Sequence, residues 1–191
     1  MRITGGTYRS RPLRAPHGIA TRPTSDRVRE ALFSILTARG VVRGARVLDL
    51  YAGTGALSLE ALSRGATHAT LVENGRDALS ALRANIDSLN AHADTKVVPL
   101  TVERAANSLK GAPPFDLAFA DPPYKDVEHA VPLALAAILG AGLIADGGLL
   151  VLEHAHRSPP PAISGVSLDE SRSYGDTQLT FYRVATNDVA L

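Results

Sequence analysis

Four consecutive residues, Asp121-Pro122-Pro123-Tyr124, combine groups that could activate an amine. An exocyclic amino group on a purine is a poor nucleophile, because its lone pair is delocalised into the ring. The Asp121 carboxylate and the Pro122 carbonyl can accept its two hydrogens, which favours a pyramidal nitrogen with a localised lone pair. The same acceptors stabilise the positive charge that grows on nitrogen during alkylation. Pro122 and Pro123 restrict φ and fix where the carbonyl points. Tyr124 offers a face on which an extruded base could stack, worth about 1–3 kcal/mol. No strong base is required, since the alkylated amine is acidic enough to lose its proton to Asp121 or to water. The bland alternative is a proline-rich turn that ends a strand.

A second group is the loop Leu48-Asp49-Leu50-Tyr51-Ala52-Gly53-Thr54-Gly55. Gly53 and Gly55 permit backbone conformations and close ligand approach that a Cβ would block. Dinucleotide-binding loops also carry glycines, so these alone leave the ligand open. Two details favour S-adenosylmethionine over a nicotinamide dinucleotide. Ser58 stands where a third glycine would be expected, and Asp49 would meet a pyrophosphate with its own negative charge. The sulfonium and ammonium of S-adenosylmethionine are cationic and suit Asp49. Glu73, 20 residues after Gly53, can accept hydrogen bonds from ribose hydroxyls, a feature both cofactor classes share. Asp49, Tyr51, Ala52, Gly53, Gly55 and Glu73, together with Asp121, form the candidate cofactor cradle. A strand-turn-helix without a ligand is the competing reading.

These groups meet only if the elements around them bring them to one edge of a sheet. Residues 46–51 read as a buried strand, and 56–64 as a helix closed by Gly65. Strands follow at 68–73, 96–101, 115–120 and 149–153, with helices at 76–89, 103–109 and 127–139. The 76–89 helix places Ala78, Leu82, Asn85, Ile86 and Leu89 in register. Pro132 is tolerated near a first turn or kinks its helix. A further helix begins at Thr24-Ser25-Asp26 with Val28, Ala31, Leu32, Ile35 and Leu36 on one face. Such alternation predicts an α/β, Rossmann-like parallel sheet wound on both faces. In that fold the turn after each strand opens on the ligand-binding edge. Two extended runs, 165–173 and 178–184, flank Tyr174-Gly175-Asp176-Thr177 and predict a C-terminal antiparallel hairpin.

The 191 residues carry a net charge of +1, which hides an asymmetry. Residues 1–30 hold seven arginines against Asp26 and Glu30, a net +5, leaving −4 for the remainder. A basic arm on an acidic body suits a polyanionic partner or a solvated tail. Arg9, Arg11, Arg14, Arg22 and Arg27 could reach phosphates, and Tyr8 could stack or pack. At least one of Arg22, Arg27 and Arg29 is expected to pair with Asp26 or Glu30. The chain has no cysteine, which excludes disulfides and thiolate chemistry. Its start, Met1-Arg2-Ile3-Thr4, has no signal-like apolar run, and no stretch is long enough to span a bilayer, so the expectation is a cytoplasmic protein. His154 and His156 share a face at a strand end, but two ligands without a third make no metal site.

With these motifs placed, the chain resembles the RsmD-type family of bacterial 16S ribosomal RNA guanine-N2 methyltransferases over nearly its whole length. The resemblance rests on Arg2-Ile3-Thr4-Gly5-Gly6 and on Arg22-Pro23-Thr24-Ser25-Asp26-Arg27-Val28-Arg29-Glu30-Ala31-Leu32-Phe33. It continues through the glycine loop, Leu59-Glu60-Ala61-Leu62-Ser63-Arg64-Gly65, the Asp121 tetrapeptide and Tyr174-Gly175-Asp176-Thr177. It implies a seven-stranded, mostly parallel class I methyltransferase sheet. An RNA-binding β-hairpin arm at 1–23 and a methyltransferase domain at 24–191 are implied as well. The implied substrate is 16S rRNA in the 30S subunit or a late precursor, taken by a monomer without metal. Arg9-Ser10-Arg11 departs from the family's Arg-Gly-Arg, and Asn74-Gly75 from a second acid common two residues after Glu73. Asn74, with Val102 and Glu103 as adenine partners, completes the candidate cofactor set. Three other readings stand beside this one: an adenine-N6 methyltransferase acting on DNA or RNA, a nicotinamide oxidoreductase, and a non-catalytic RNA-binding module.

Overall fold

The structure, a computed structural model, describes residues 1–15, 26–123 and 130–186. Its strands are β1 (Arg46–Asp49), β2 (His68–Val72), β3 (Thr95–Val98), β4 (Phe115–Ala120), β5 (Ile144–Ala155), β6 (Val166–Tyr174) and β7 (Thr177–Val184). Its helices are α1 (Asp26–Ala38), α2 (Ala56–Ser63), α3 (Arg76–Leu89), α4 (Val102–Ser108) and α5 (Ala130–Gly140), with a 3-10 turn at His92–Asp94. The strands form one seven-stranded sheet in the order β3-β2-β1-β4-β5-β7-β6, the class I methyltransferase arrangement. β1 to β5 are parallel, and β7 runs antiparallel between β5 and β6.

Side-chain alternation divides the core between the two faces. Val47, Leu71, Leu117, Phe119 and Val151 pack with Leu32, Phe33 and Leu36 of α1, Leu59 of α2, and Leu82 and Ile86 of α3. Leu48, Val72, Ala118, Leu150 and Leu152 pack on the other face with Val102 and Ala105 of α4 and Leu135 and Ile138 of α5. Burial on both faces is why the strands read as nearly continuous apolar runs.

Several boundaries differ from the expectation. The third strand ends at Val98 because Pro99 has no N–H to continue the ladder. The strand expected at 149–153 is β5, twelve residues long: it begins at Ile144, shifts register against β4, and runs through Gly147 and Gly148. A Cβ on Gly148 would lie 2.7 Å from the Ala145 carbonyl oxygen, so the irregularity needs glycine. Pro132 is the third described residue of α5, and the helix continues past it to Gly140. The expected helix start at Thr24-Ser25 lies outside the described residues.

Residues 1–15 fold back as a narrow hairpin with a single antiparallel bridge, Arg2↔Pro12. Backbone bonds from Ile3 to Arg11 and from Ser10 to Ile3 close it. Ser10 has φ 67°, so the family's glycine position keeps its left-handed turn here with a serine. Ile3 and Leu13 are buried in the same core as α1 and α2.

Candidate active site

The carboxyl ends of β1, β2 and β4 lie side by side, because β1 pairs in parallel with both neighbours. Asp49 is paired with Phe119, two residues before Asp121, and the Leu50 N–H donates to the Phe119 carbonyl at 2.9 Å. The glycine loop and the Asp121 turn therefore share one rim. Asp121 is half-buried, Pro122 buried and Pro123 exposed. Tyr124 lies outside the described residues.

The loop after β1 turns at two left-handed glycines, Gly53 (φ 54°) and Gly55 (φ 80°). Gly55 is also a packing requirement, since its Cβ would sit 2.5 Å from Leu82 Cδ1 on α3. Gly53 differs: a Cβ there would meet nothing within 4 Å, so this side of the loop is open to a ligand. Its N–H donates to Glu73 Oε2 at 2.8 Å, while Glu73 Oε1 accepts from Asn74 (2.8 Å) and Gly75 (2.7 Å). Three of roughly four acceptor positions on Glu73 are thus taken by backbone, leaving about one for a hydroxyl. The Ala52 N–H is held by the Val72 carbonyl, and Tyr51 is half-buried against the α4–α5 side of the sheet.

Asp49 is 1% exposed. Its Oδ2 accepts a 2.8 Å bond from the Ser58 hydroxyl, and its buried Oδ1 has no hydrogen-bond partner among the described residues. Burial pushes its carboxyl up from 3.8 to about 7, the Ser58 bond opposes this, and the charges of Asp121 and Glu73 raise it further. Ser58, noted in the sequence only as a missing glycine, has a role of its own. A ligand bringing positive charge to Asp49 and a hydroxyl to Glu73 fits this cradle, whereas a phosphate would face three carboxylates.

The remaining predicted residues fall as follows. Val102 opens α4 and is buried in the core; Glu103 beside it and Asn74 after β2 are exposed. Arg9, Arg11, Arg14 and Arg27 are exposed, and the Arg11 guanidinium donates to the Ser88 carbonyl on α3. Arg22 lies outside the described residues. Arg29 is fully buried and pairs with Asp26 at 2.9 Å and, unforeseen, with Glu60 at 3.4 Å. His154 is buried, with Nε2 2.8 Å from the Thr180 hydroxyl, and burial holds its pKa below the usual value. Among the described residues no group of three or more acidic or histidine side chains could hold a metal, and no helix is long and apolar enough to cross a membrane.

Sequence reasoning missed Glu60, which anchors the arm. Its carboxylate accepts from the Thr4 N–H (2.7 Å), the Thr4 hydroxyl (2.7 Å), the Gly5 N–H (2.8 Å) and Arg64 (2.8 Å). Ser63 continues the contact through its carbonyl to the Thr7 N–H and its hydroxyl to Tyr8 N and Gly5 O. A Cβ on Gly6 would lie 1.8 Å from the Ser63 carbonyl oxygen, which explains the Gly5-Gly6 pair. A cavity of about 390 Å³ lies at the opposite rim, lined by Gly40, Arg43, Asp116, Asp146, Gly147 and Arg183. It lies at the opposite ends of the strands from Asp49 and Asp121, so the carboxyl rim, not this pocket, is the candidate site.

Known proteins of similar sequence and structure share this architecture. A family model described as conserved hypothetical protein 95 matches residues 1–183. Ribosomal RNA small subunit methyltransferase D of Escherichia coli K12 is 35% identical over 186 residues, covering 96% of this chain and 89% of that protein. YlbH of Bacillus subtilis is 32% identical over 185 residues, covering 96% and 98%. Among solved structures, yhhF of Escherichia coli superposes with a TM-score of 0.85 at 34% identity, covering 98% of this chain and 99% of that one. With its sheet order, glycine loop, Asp121 turn and anchored N-terminal hairpin in place, the chain belongs to the RsmD-type family that this model describes.

Proposed function

We propose that this protein transfers a methyl group from S-adenosylmethionine to the exocyclic N2 of a guanine in 16S rRNA, within the 30S subunit or a late precursor. The observation that carries the reading is the shared rim: the buried carboxylate of Asp49, whose Oδ1 has no hydrogen-bond partner among the described residues, and the Asp121-Pro122 turn stand at the ends of adjacent parallel strands. The name of the Escherichia coli relative supports a small-subunit ribosomal RNA substrate. The Asp-Pro-Pro-Tyr turn supports an exocyclic amine as the acceptor, and the choice of guanine N2 rests on the family resemblance.

S-adenosylmethionine supplies an electrophilic methyl group bound to a sulfonium. Asp49 would hold the cofactor's positive charge, Glu73 a ribose hydroxyl, and Gly53 and Gly55 the close backbone approach, with Tyr51, Ala52, Asn74, Val102 and Glu103 around them. Asp121 and the Pro122 carbonyl accept the hydrogens of the target amine and orient its lone pair. After transfer the surplus proton leaves to Asp121 or to water. Tyr124 stacks the base, and Pro123 restrains the turn. Residues 1–23 act as the RNA-binding arm through Arg9, Arg11, Arg14 and Arg22, with Arg27 beside them on α1, and 24–191 as the catalytic domain. Each phosphate contact adds salt-sensitive affinity without sequence preference.

Incubation with tritiated S-adenosylmethionine tests the reading, using 30S subunits that lack the modification and duplex DNA as parallel substrates. Label is expected in 16S rRNA at a guanine; label in DNA alone sinks the substrate assignment. Asp121→Ala should lower kcat by about 10²–10³-fold, the loss typical for a transition-state acceptor or donor. Its affinity for 30S should stay within about twofold, because phosphate contacts dominate binding.

A further inference from the structure

Asn85 lies on the apolar face of α3 and is fully buried. Its Oδ1 accepts the Arg14 N–H at 2.7 Å, and its Nδ2 donates to the Arg14 carbonyl at 3.1 Å and to the Thr54 carbonyl at 2.9 Å. Both donors of the amide are used, and they divide between two places. One is the basic arm at Arg14; the other is the cofactor loop at Thr54, the residue between the two left-handed glycines. Ser88, one turn further along α3, receives the Arg11 guanidinium on its carbonyl and donates its hydroxyl to the Asn85 carbonyl. The far end of the hairpin is fixed independently by Glu60 on α2. Asn85 thus connects the arm's exit to the glycine loop through one rigid planar group, and an apolar residue there would leave three backbone groups without their partner.

We propose that Asn85 is a positioning residue that links the cofactor loop to the basic arm, so that RNA and cofactor each tighten the binding of the other. The inference rests on the proposed function, which supplies the two ligands. Ordering Thr54 around a bound cofactor fixes the amide that holds Arg14, and seating Arg14 on RNA fixes the amide that holds Thr54. Such coupling is reciprocal by thermodynamic necessity.

The test is calorimetric titration of S-adenosylhomocysteine into the full-length protein, alone and with saturating unmodified 30S subunits. In the wild type the 30S subunit should tighten S-adenosylhomocysteine by about fivefold or more, the lower end of measured couplings. In Asn85→Asp, which still accepts from Arg14 but can donate at most one hydrogen bond and so cannot hold both carbonyls, the ratio should fall to about one. The variant's kcat at saturation of both substrates should stay within about threefold, which a merely damaged fold would not allow. A wild-type ratio near one, or an undiminished ratio in Asn85→Asp, overturns the inference. Failure of the wild type to bind S-adenosylhomocysteine at all instead removes the cofactor reading, and the inference with it. Should Asn85→Asp not fold, amide NMR of the wild type decides: saturation with S-adenosylhomocysteine should displace the Arg14 resonance together with that of Gly53. A displaced Gly53 beside an unmoved Arg14 overturns the inference as well.

Discussion

Two carboxylates at neighbouring positions in the fold are both almost fully buried, and they are treated in opposite ways. Glu60 on α2 accepts from Thr4, Gly5 and Arg64 and faces the Arg29 guanidinium, so both oxygens are satisfied within the chain. Asp49, at the end of β1, accepts one hydroxyl on Oδ2, and its Oδ1 has no hydrogen-bond partner among the described residues. A buried acceptor left without a partner costs free energy, so its persistence requires a compensating role. The saturated group holds the hairpin to the body, and the other lies at the end of β1, on the rim that carries the glycine loop and the Asp121 turn. Burial alone therefore does not distinguish a structural carboxylate from a binding one; the count of its partners does. The Glu60 network is itself imperfect, since Arg29 Nη1 is also buried without a hydrogen-bond partner among the described residues.

The largest effect that would break this contrast is on the Glu60 side. Glu60→Ala leaves the Arg29 charge uncompensated in the core and should cost about 3–5 kcal/mol of stability in chemical denaturation. S-adenosylhomocysteine affinity of the molecules still folded should change by less than about threefold. Loss of cofactor binding in the folded fraction would show that the two sites do not divide their roles.

A smaller effect, opposite in its pattern, is expected at Asp49. Asn keeps the acceptor for Ser58 and removes a costly charge, so Asp49→Asn should raise the melting temperature of the ligand-free protein at pH 8. It should also weaken S-adenosylmethionine by about 10–100-fold, equivalent to about 1.4–2.8 kcal/mol. The folded carboxyl titrates near 7 and the unfolded one near 3.8, so the native state binds the extra proton between these values. Wild-type stability without ligand should fall as pH rises from about 4 to 7, and cofactor affinity should rise over the upper part of that range and level off above it. Both trends should vanish in Asp49→Asn. Melting and calorimetric titrations across pH 4 to 8.5 check this, and identical pH profiles for variant and wild type would remove the argument for an ionised ligand-holding Asp49.

The smallest effect sharpens the role of the hairpin. Ser10 holds a left-handed φ of 67°. Ser10→Gly should therefore stabilise the protein by up to about 1 kcal/mol, read as a shift in denaturation midpoint, with catalysis unchanged. A loss of stability would mean that the serine side chain, not the backbone, maintains the turn.

The elements bounded by strong local punctuation were legible from the residues alone. α3 begins and ends where the 3.6-residue spacing of Ala78, Leu82, Ile86 and Leu89 predicts, and β4 fills the apolar run between Pro114 and Asp121. β5 is longer than the apolar run 149–153, because the strand passes through Gly147-Gly148 with a register shift against β4. The glycine loop and the Asp121 turn were placed on one rim by the alternation of strands and helices, and the pairing of β1 with β4 puts them there. The anchors of the arm were not legible. Glu60 meets Thr4 across 56 residues of sequence, and Asn85 meets Arg14 across 71, distances at which periodicity carries no information. One signal was present: Asn85 is a polar residue on the apolar side of its helix, and such a residue has to find partners.

The placement of β7 has a consequence for how the chain is made. The last strand in sequence lies between β5 and β6, so β5 has no neighbour on its outer side until residues 177–184 are available. A growing polypeptide that has already assembled the first five strands still presents an unpaired edge carrying Leu149, Leu150, Val151 and Leu152, a template for pairing with another chain. Completion of the sheet therefore waits until residues 177–184 have been made, and a product truncated before Thr177 should aggregate even though its glycine loop and Asp121 turn are intact.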